Sequence, residues 1–171
     1  MSAVRVDSAA LSLTGPDGAS IPCTIGRSGA CPAADKREGD GASPAGTWPI
    51  RRVLYRPDRG EPPLTAFPIE AIDPADGWCD DPADPAYNQP VTLPYPASAE
   101  ALWRDDGAYD IIVVLAHNDD PPVAGRGSAI FLHLAKPGYP PTEGCVAISR
   151  EDMDALLAVA KPGDAIQICV N

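Results

Sequence analysis

The sequence predicts a mainly β fold with long irregular loops, one clear helix near the C-terminus and a short one mid-chain. Three observations predict it. There are 21 prolines in 171 residues, and proline neither donates to a strand ladder nor tolerates a helix interior. The apolar residues fall in short runs bounded by Gly, Pro and Asp clusters, which is the pattern of strands. Only one stretch, Met153, Leu156, Leu157 and Ala160, repeats at helical spacing. The length suits a single domain over residues 1–171 with a proper core.

Each element has a local reason. Val4 and Val6, then Leu11 and Leu13, suggest a strand pair broken near Asp7-Ser8. Gly15-Pro16-Asp17-Gly18 is a turn signal, and Ser20 to Ile25 is the returning strand of an N-terminal hairpin. Residues 26–46 are polar and glycine-rich; a loop this long in a compact domain is more often functional than idle. Thr47 to Arg56 resumes strand character, and Pro57 to Ser98 is irregular and dense in Pro and Asp. Ser98 followed by AEALW reads as the short capped helix. Tyr109 to Ala116 and residues 129–134 read as strands buried on both faces. Ser149-Arg150-Glu151-Asp152 resembles a capping box, Lys161-Pro162-Gly163 stops the helix it opens, and Ala165 to Val170 alternates as a last strand.

Composition narrows the function. A net charge of −11 argues against nucleic acid and anionic membrane surfaces, both of which want Lys/Arg patches. No apolar run approaches a membrane span, so no membrane insertion is expected. Met1 to Leu13 lacks the basic and apolar regions of a signal peptide. The five cysteines are odd in number, so at least one is free or pairs between chains. Cys23 and Cys31 flank a Gly-rich turn and are spaced for a local disulfide.

The stretch from Gly127 to Ile148 carries the chemistry. Period-two alternation puts Ala129, Phe131 and His133 on one face and Ile130, Leu132 and Leu134 on the other. Gly144-Cys145 then opens the run Val146-Ala147-Ile148, and the loop between allows the two runs to lie side by side. Cys145 would then come within hydrogen-bond reach of His133, which suits a thiol nucleophile with an imidazole base. Gly144 would let a carbonyl approach the backbone, with amides around Gly144 and Cys145 binding its oxyanion. The same spacing also allows a buried histidine and a structural cysteine that never meet.

His133, Thr142, Glu143, Gly144 and Cys145 resemble the active-site signature of the L,D-transpeptidase (YkuD-type) catalytic domain. The resemblance is to a divergent branch, with Thr-Glu-Gly-Cys in place of Ser-His-Gly-Cys. It is carried also by Lys36-Arg37-Glu38-Gly39-Asp40-Gly41, Ser43-Pro44, Gly46, Gly77-Trp78-Cys79-Asp80-Asp81, Tyr87-Asn88 and Tyr109-Asp110, across about residues 36–170. It implies a β-sandwich and cysteine-dependent acyl transfer on peptidoglycan stem peptides, by transpeptidation or carboxypeptidation. It also implies a Cys145 thioester, His133 as base oriented by a main-chain carbonyl, no cofactor, and work in the cell envelope or periplasm.

Five further residues are candidates for substrate contact. Trp78 and Tyr87 are loop aromatics that either plug the core edge or line a groove. Arg126 has the planar fork for a carboxylate, although a surface turn explains it equally well. Glu143 sits two positions before the thiol, where an ionised carboxylate disfavours thiolate unless it faces solvent or pairs with Arg126 or Lys136. His117 ends a buried strand and reads more as support than as catalyst. Two other functions stay open: a non-catalytic module that binds cell-wall peptide, and a zinc hydrolase using His117, His133, Cys145 and Cys79, although no close ligand pair exists. Asp73, Asp76, Asp80, Asp81 and Asp84 fit solvated turns better than a calcium loop.

Overall fold

The computed structural model describes residues 3–171. Met1 and Ser2 of the N-terminal segment lie outside them. The fold is mainly β with sheets arranged as a sandwich, as the sequence predicts. In chain order the strands are β1 (Ala3–Asp7), β2 (Ser12–Thr14), β3 (Ser20–Pro22), β4 (Ala30–Pro32), β5 (Ser43–Tyr55), β6 (Ile69–Ala71), β7 (Asp76–Cys79), β8 (Pro90–Thr92), β9 (Ala99–Ala101), β10 (Ile111–Leu115), β11 (Phe131–Leu134), β12 (Val146–Ile148) and β13 (Ala165–Cys169). The single α-helix among the described residues, α1 (Arg150–Val159), precedes β13.

Strand β5 organises the rest. Its first half pairs with β13, from Gly46 to Pro49, and its second half pairs with β10, from Ile50 to Tyr55. Pro49 cannot donate to a ladder, and the register slips between Val114 and Leu115 so that Arg51 is the extra residue of a bulge. Both features bend a strand, and here they fall where β5 changes partners. The order β12-β11-β10-β5-β13-β1-β2-β3 follows from that bend, and a smaller sheet, β8-β7-β9, lies apart from it. The chain after β3 returns to β12, where Thr24 exchanges both main-chain hydrogen bonds with Ala147 at 3.0 and 2.9 Å.

Strands β10 and β11 are buried on both faces, which explains their near-continuous apolar sequence. Val113, Leu132 and Leu134 face the main core with Val146 and α1's Met153 and Leu157. Ile112, Val114 and Phe131 face a second core under the small sheet, with Trp78, Leu102 and Tyr109. Burying a side chain such as Phe131 contributes about 2–3 kcal/mol. Helix α1 begins where expected: Ser149 accepts from the Asp152 amide, a cap worth about 1 kcal/mol.

Two expectations change. Residues 98–103 form no helix; Ala99–Ala101 is strand β9, paired with β7 in the register Gly77–Ala101, Trp78–Glu100 and Cys79–Ala99. A single turn of helix gains too few hydrogen bonds to offset its nucleation, whereas the open edge of β7 offers partners at once. Cys23 and Cys31 are not joined, and all five cysteines are free thiols. The acidic loop is built of turns: Asp73, Asp81 and Asp84 accept from the amides of Ala75, Ala83 and Ala86 at 2.8–2.9 Å.

Candidate active site

The two runs of the Gly127–Ile148 stretch do lie side by side. β11 and β12 pair in parallel, Leu132 opposite Val146 and His133 opposite Ala147. Extending that register puts Cys145 level with Phe131, so Cys145 and His133 are diagonal neighbours on one face. Both line a cavity of about 460 Å³, together with Glu100, Arg104, Tyr109 and Lys136. The long loop contributes Glu38 and Gly39 to its rim.

Imidazole and thiol differ in how they are held. Nδ1 of His133 is 3.0 Å from the Leu134 carbonyl. A carbonyl only accepts, so Nδ1 carries the proton and Nε2 is left with its lone pair. The ring packs edge-on against Tyr109, centroids 5.3 Å apart. Burial pushes its pKa down to about 4, so it is neutral at pH 7. The thiol is bonded to main chain: Cys145 Sγ donates to the Ala129 carbonyl at 3.1 Å and accepts from the Phe131 amide at 3.4 Å. Burial first, then the Glu100 carboxylate, push the thiol up to about 12, with the Phe131 amide opposing them. The resting sulfur is therefore protonated, with its hydrogen aimed at Ala129.

The turn before the cysteine is clamped from three sides. Gly144 has φ +142°, and a Cβ there would stand 2.9 Å from the Ala42 carbonyl oxygen. Its amide donates to Thr142 Oγ1 at 3.1 Å, and the Thr142 hydroxyl donates to the Cys145 carbonyl at 2.6 Å. The Gly144 amide, expected among oxyanion donors, is thus already engaged. Ser43, fully buried, donates to the Gly144 carbonyl at 2.7 Å while accepting from the Gly26 amide at 2.9 Å. Its hydroxyl ties the first residues of β5 to the Gly144 turn.

Four of the five candidate contact residues fall outside this cavity, and Glu143 alone lines it. Trp78 is buried, edge-on to Phe131 with its indole N–H on Asn88, and lines a separate cavity of about 230 Å³. Tyr87 is buried too; its hydroxyl donates to Glu38 at 2.7 Å and accepts from the Gly127 amide at 2.9 Å. Arg126 is exposed and donates to the Ala34 carbonyl at 2.7 Å. Glu143 lines the cavity mouth and pairs with Arg27 at 3.0 Å, not with Arg126 or Lys136, and its side chain is 81% exposed. His117 packs edge-on against Trp48 at 4.8 Å, away from the cavity. No three His, Cys, Asp or Glu side chains among the described residues are grouped to hold a metal ion, so the zinc set does not converge.

Residues that sequence reasoning passed over line the cavity instead. Glu100 takes the Tyr109 hydroxyl on Oε1 and lies 3.7 Å from Arg104. Arg104 stacks over the Tyr109 ring at 4.7 Å, and Lys136 pairs with Asp106 at 2.9 Å. Asp80 also lines the cavity and keeps one buried oxygen without a partner among the described residues. Asp80 carried a signal in the Gly77–Asp81 block, whereas nothing in the local pattern singled out Glu100 or Arg104.

Cys145 and His133 thus share one face of paired strands and one cavity, with the thiol bonded to Ala129 and Phe131 rather than to the ring. The family model described as YkuD, L,D-transpeptidase catalytic domain, matches residues 4–168. No curated protein and no solved structure matches the chain.

Proposed function

Because the chain belongs to the L,D-transpeptidase catalytic domain family, we propose that it is a cysteine acyltransferase of peptidoglycan stem peptides, with Cys145 as nucleophile and His133 as base. One observation carries the reading: a thiol and an imidazole with a free Nε2 share one face of paired strands and open into one cavity. The thiol proton passes to Nε2 as sulfur attacks the carbonyl carbon between a diamino acid and D-alanine. The Cys145 amide, next to the engaged Gly144 amide, takes the oxyanion; one such donor is worth about 3 kcal/mol. Collapse breaks the C–N bond, and the leaving amine takes the proton back from Nε2. The thioester then passes its acyl group to an amine of another stem, or to water in the carboxypeptidase outcome. His133 is kept in the right tautomer by the Leu134 carbonyl, and the substrate places the work in the cell envelope.

A second reading, a peptide-binding module without turnover, is favoured by the protonated thiol and its bond to Ala129. Intact mass after incubation with a carbapenem separates the two. The proposal expects one adduct on the wild type and none on Cys145→Ala, with acyl transfer abolished in the variant and the fold intact. A folded wild type with neither adduct nor turnover supports the binding module. Undiminished turnover in Cys145→Ala overturns the assignment.

A further inference from the structure

The thiol's hydrogen-bond acceptor is a strained residue held by a buried amide. Ala129 has φ +53°, a left-handed conformation that costs a residue with a Cβ about 1 kcal/mol or more. Its amide donates to Oδ1 of Asn88 at 3.0 Å. Asn88 is 5% exposed and fully used: Oδ1 also accepts from the Trp78 indole at 3.0 Å, and Nδ2 donates to the carbonyls of His117 at 3.1 Å and Asn118 at 2.6 Å. These four bonds exhaust an amide side chain. The neighbouring Gly127 amide is tied to Tyr87, and Ser128 donates to Glu38 at 2.5 Å, so residues 127–129 are anchored one after another.

We propose that Asn88 is a positioning residue for the nucleophile: by fixing Ala129 in its left-handed conformation it aims the Ala129 carbonyl at Cys145 and parks the thiol proton there until substrate enters. The step is a rotation of the S–H bond, away from the Ala129 oxygen and toward Nε2 of His133, with no bond made or broken. The Phe131 amide remains on sulfur throughout and stabilises the thiolate that follows. The idea rests on Cys145 being the reacting thiol only for its consequence; the parked proton is a property of the resting protein.

The test reads the S–H stretching band by infrared difference, with Cys145→Ser identifying the contribution of this thiol among the five. A thiol that donates to a carbonyl absorbs at lower frequency than a free one. Asn88→Gly, which tolerates the φ of +57° at position 88 and deletes the amide, is expected to move the Cys145 band to higher frequency. It is also expected to speed iodoacetamide alkylation of Cys145 up to roughly tenfold at pH 8. Ala129→Pro removes the N–H that Asn88 accepts and cannot hold a positive φ, so it is expected to do the same by an independent route. Trp78→Phe removes the other donor to Oδ1, costs stability, and is expected to leave the band in place. An unmoved band in whichever of the first two variants folds overturns the proposal, as does an equal shift in Trp78→Phe. Because no substrate is present, these outcomes are independent of the acyl-transfer assay.

Discussion

The chain's two histidines sit in two regions that match in burial and differ in what the ring can do. His133 lies within buried strand β11 and His117 just after buried strand β10, both are at most 9% exposed, and burial lowers both to a pKa of about 4. Around His133 the polar atoms are sorted: Nδ1–H is bonded to a carbonyl, Nε2 has no hydrogen-bond partner among the described residues, and a thiol lies on the same face. Around His117 they are not: Nδ1 is buried without a partner among the described residues, and the ring edge meets Trp48. A depressed pKa is therefore a poor marker of catalysis here. The oriented lone pair beside a thiol separates the two regions.

The largest effect is expected from exchanging the imidazoles. His133→Gln should lower acyl transfer by about 10²–10⁴-fold, the range for losing a positioned base, with little change in KM. His117→Phe keeps the contact with Trp48 and should leave kcat/KM within a few-fold. Steady-state kinetics on both variants decides it; a comparable loss in each would erase the distinction drawn above.

Stability should treat the two rings alike. Between pH 4 and 6.5 the unfolded chain binds protons at both imidazoles that the folded chain refuses, so stability falls as pH falls through that window. Each shift is worth on the order of 3 kcal/mol, fully present above pH 6.5, with about 2 kcal/mol of each lost by pH 5. Urea melts at pH 7 and pH 5 should show His117→Phe and His133→Gln each removing about half of the histidine-linked loss. A variant that removes none of it would show that its ring titrates normally in the folded protein.

How much of this was legible before folding depends on the range of the interaction. The pairing of β11 with β12 was readable because two apolar runs joined by a single loop have one natural way to lie together, and the helix because Ser149 caps it locally. Trp78 and Tyr87 read equally as core-edge plugs or groove residues, since an aromatic among Pro and Asp has no local partner, and both turn out to be buried. Glu143 pairs with a residue 116 positions away and Ser43 reaches a carbonyl 101 positions away. No local periodicity encodes such partners. Ala129 is the sharpest case, since only tertiary hydrogen bonds hold an alanine at positive φ.

A Cβ at Gly144 tests the geometry around the nucleophile without touching either imidazole. Gly144→Ala would press the new Cβ against the Ala42 oxygen at a φ that L residues rarely adopt. Backbone strain of this kind costs about 1–3 kcal/mol. Acyl transfer should fall roughly tenfold to a hundredfold as the Cys145 amide is displaced, while the pH dependence of the melts stays as in the wild type. Full activity in a folded Gly144→Ala protein would show that the turn has room to spare.

The smallest effect separates two carboxylates in the way that the histidines were separated. Glu143 is adjacent to the nucleophile turn in sequence, but it points to solvent and spends its charge on Arg27. Glu100 lies 45 residues before Cys145 in the chain, yet it lines the same cavity from a more buried position and is the largest contribution after burial to the raised thiol pKa. Glu100→Gln should therefore move Cys145 alkylation toward lower pH and speed it a few-fold at pH 8, because a like charge no longer opposes the thiolate. Glu143→Gln should leave the rate unchanged within error, since a solvent-exposed pair is worth roughly 0–1 kcal/mol and is screened by salt. The reverse ranking would mean that proximity in sequence outweighs burial in setting the thiol.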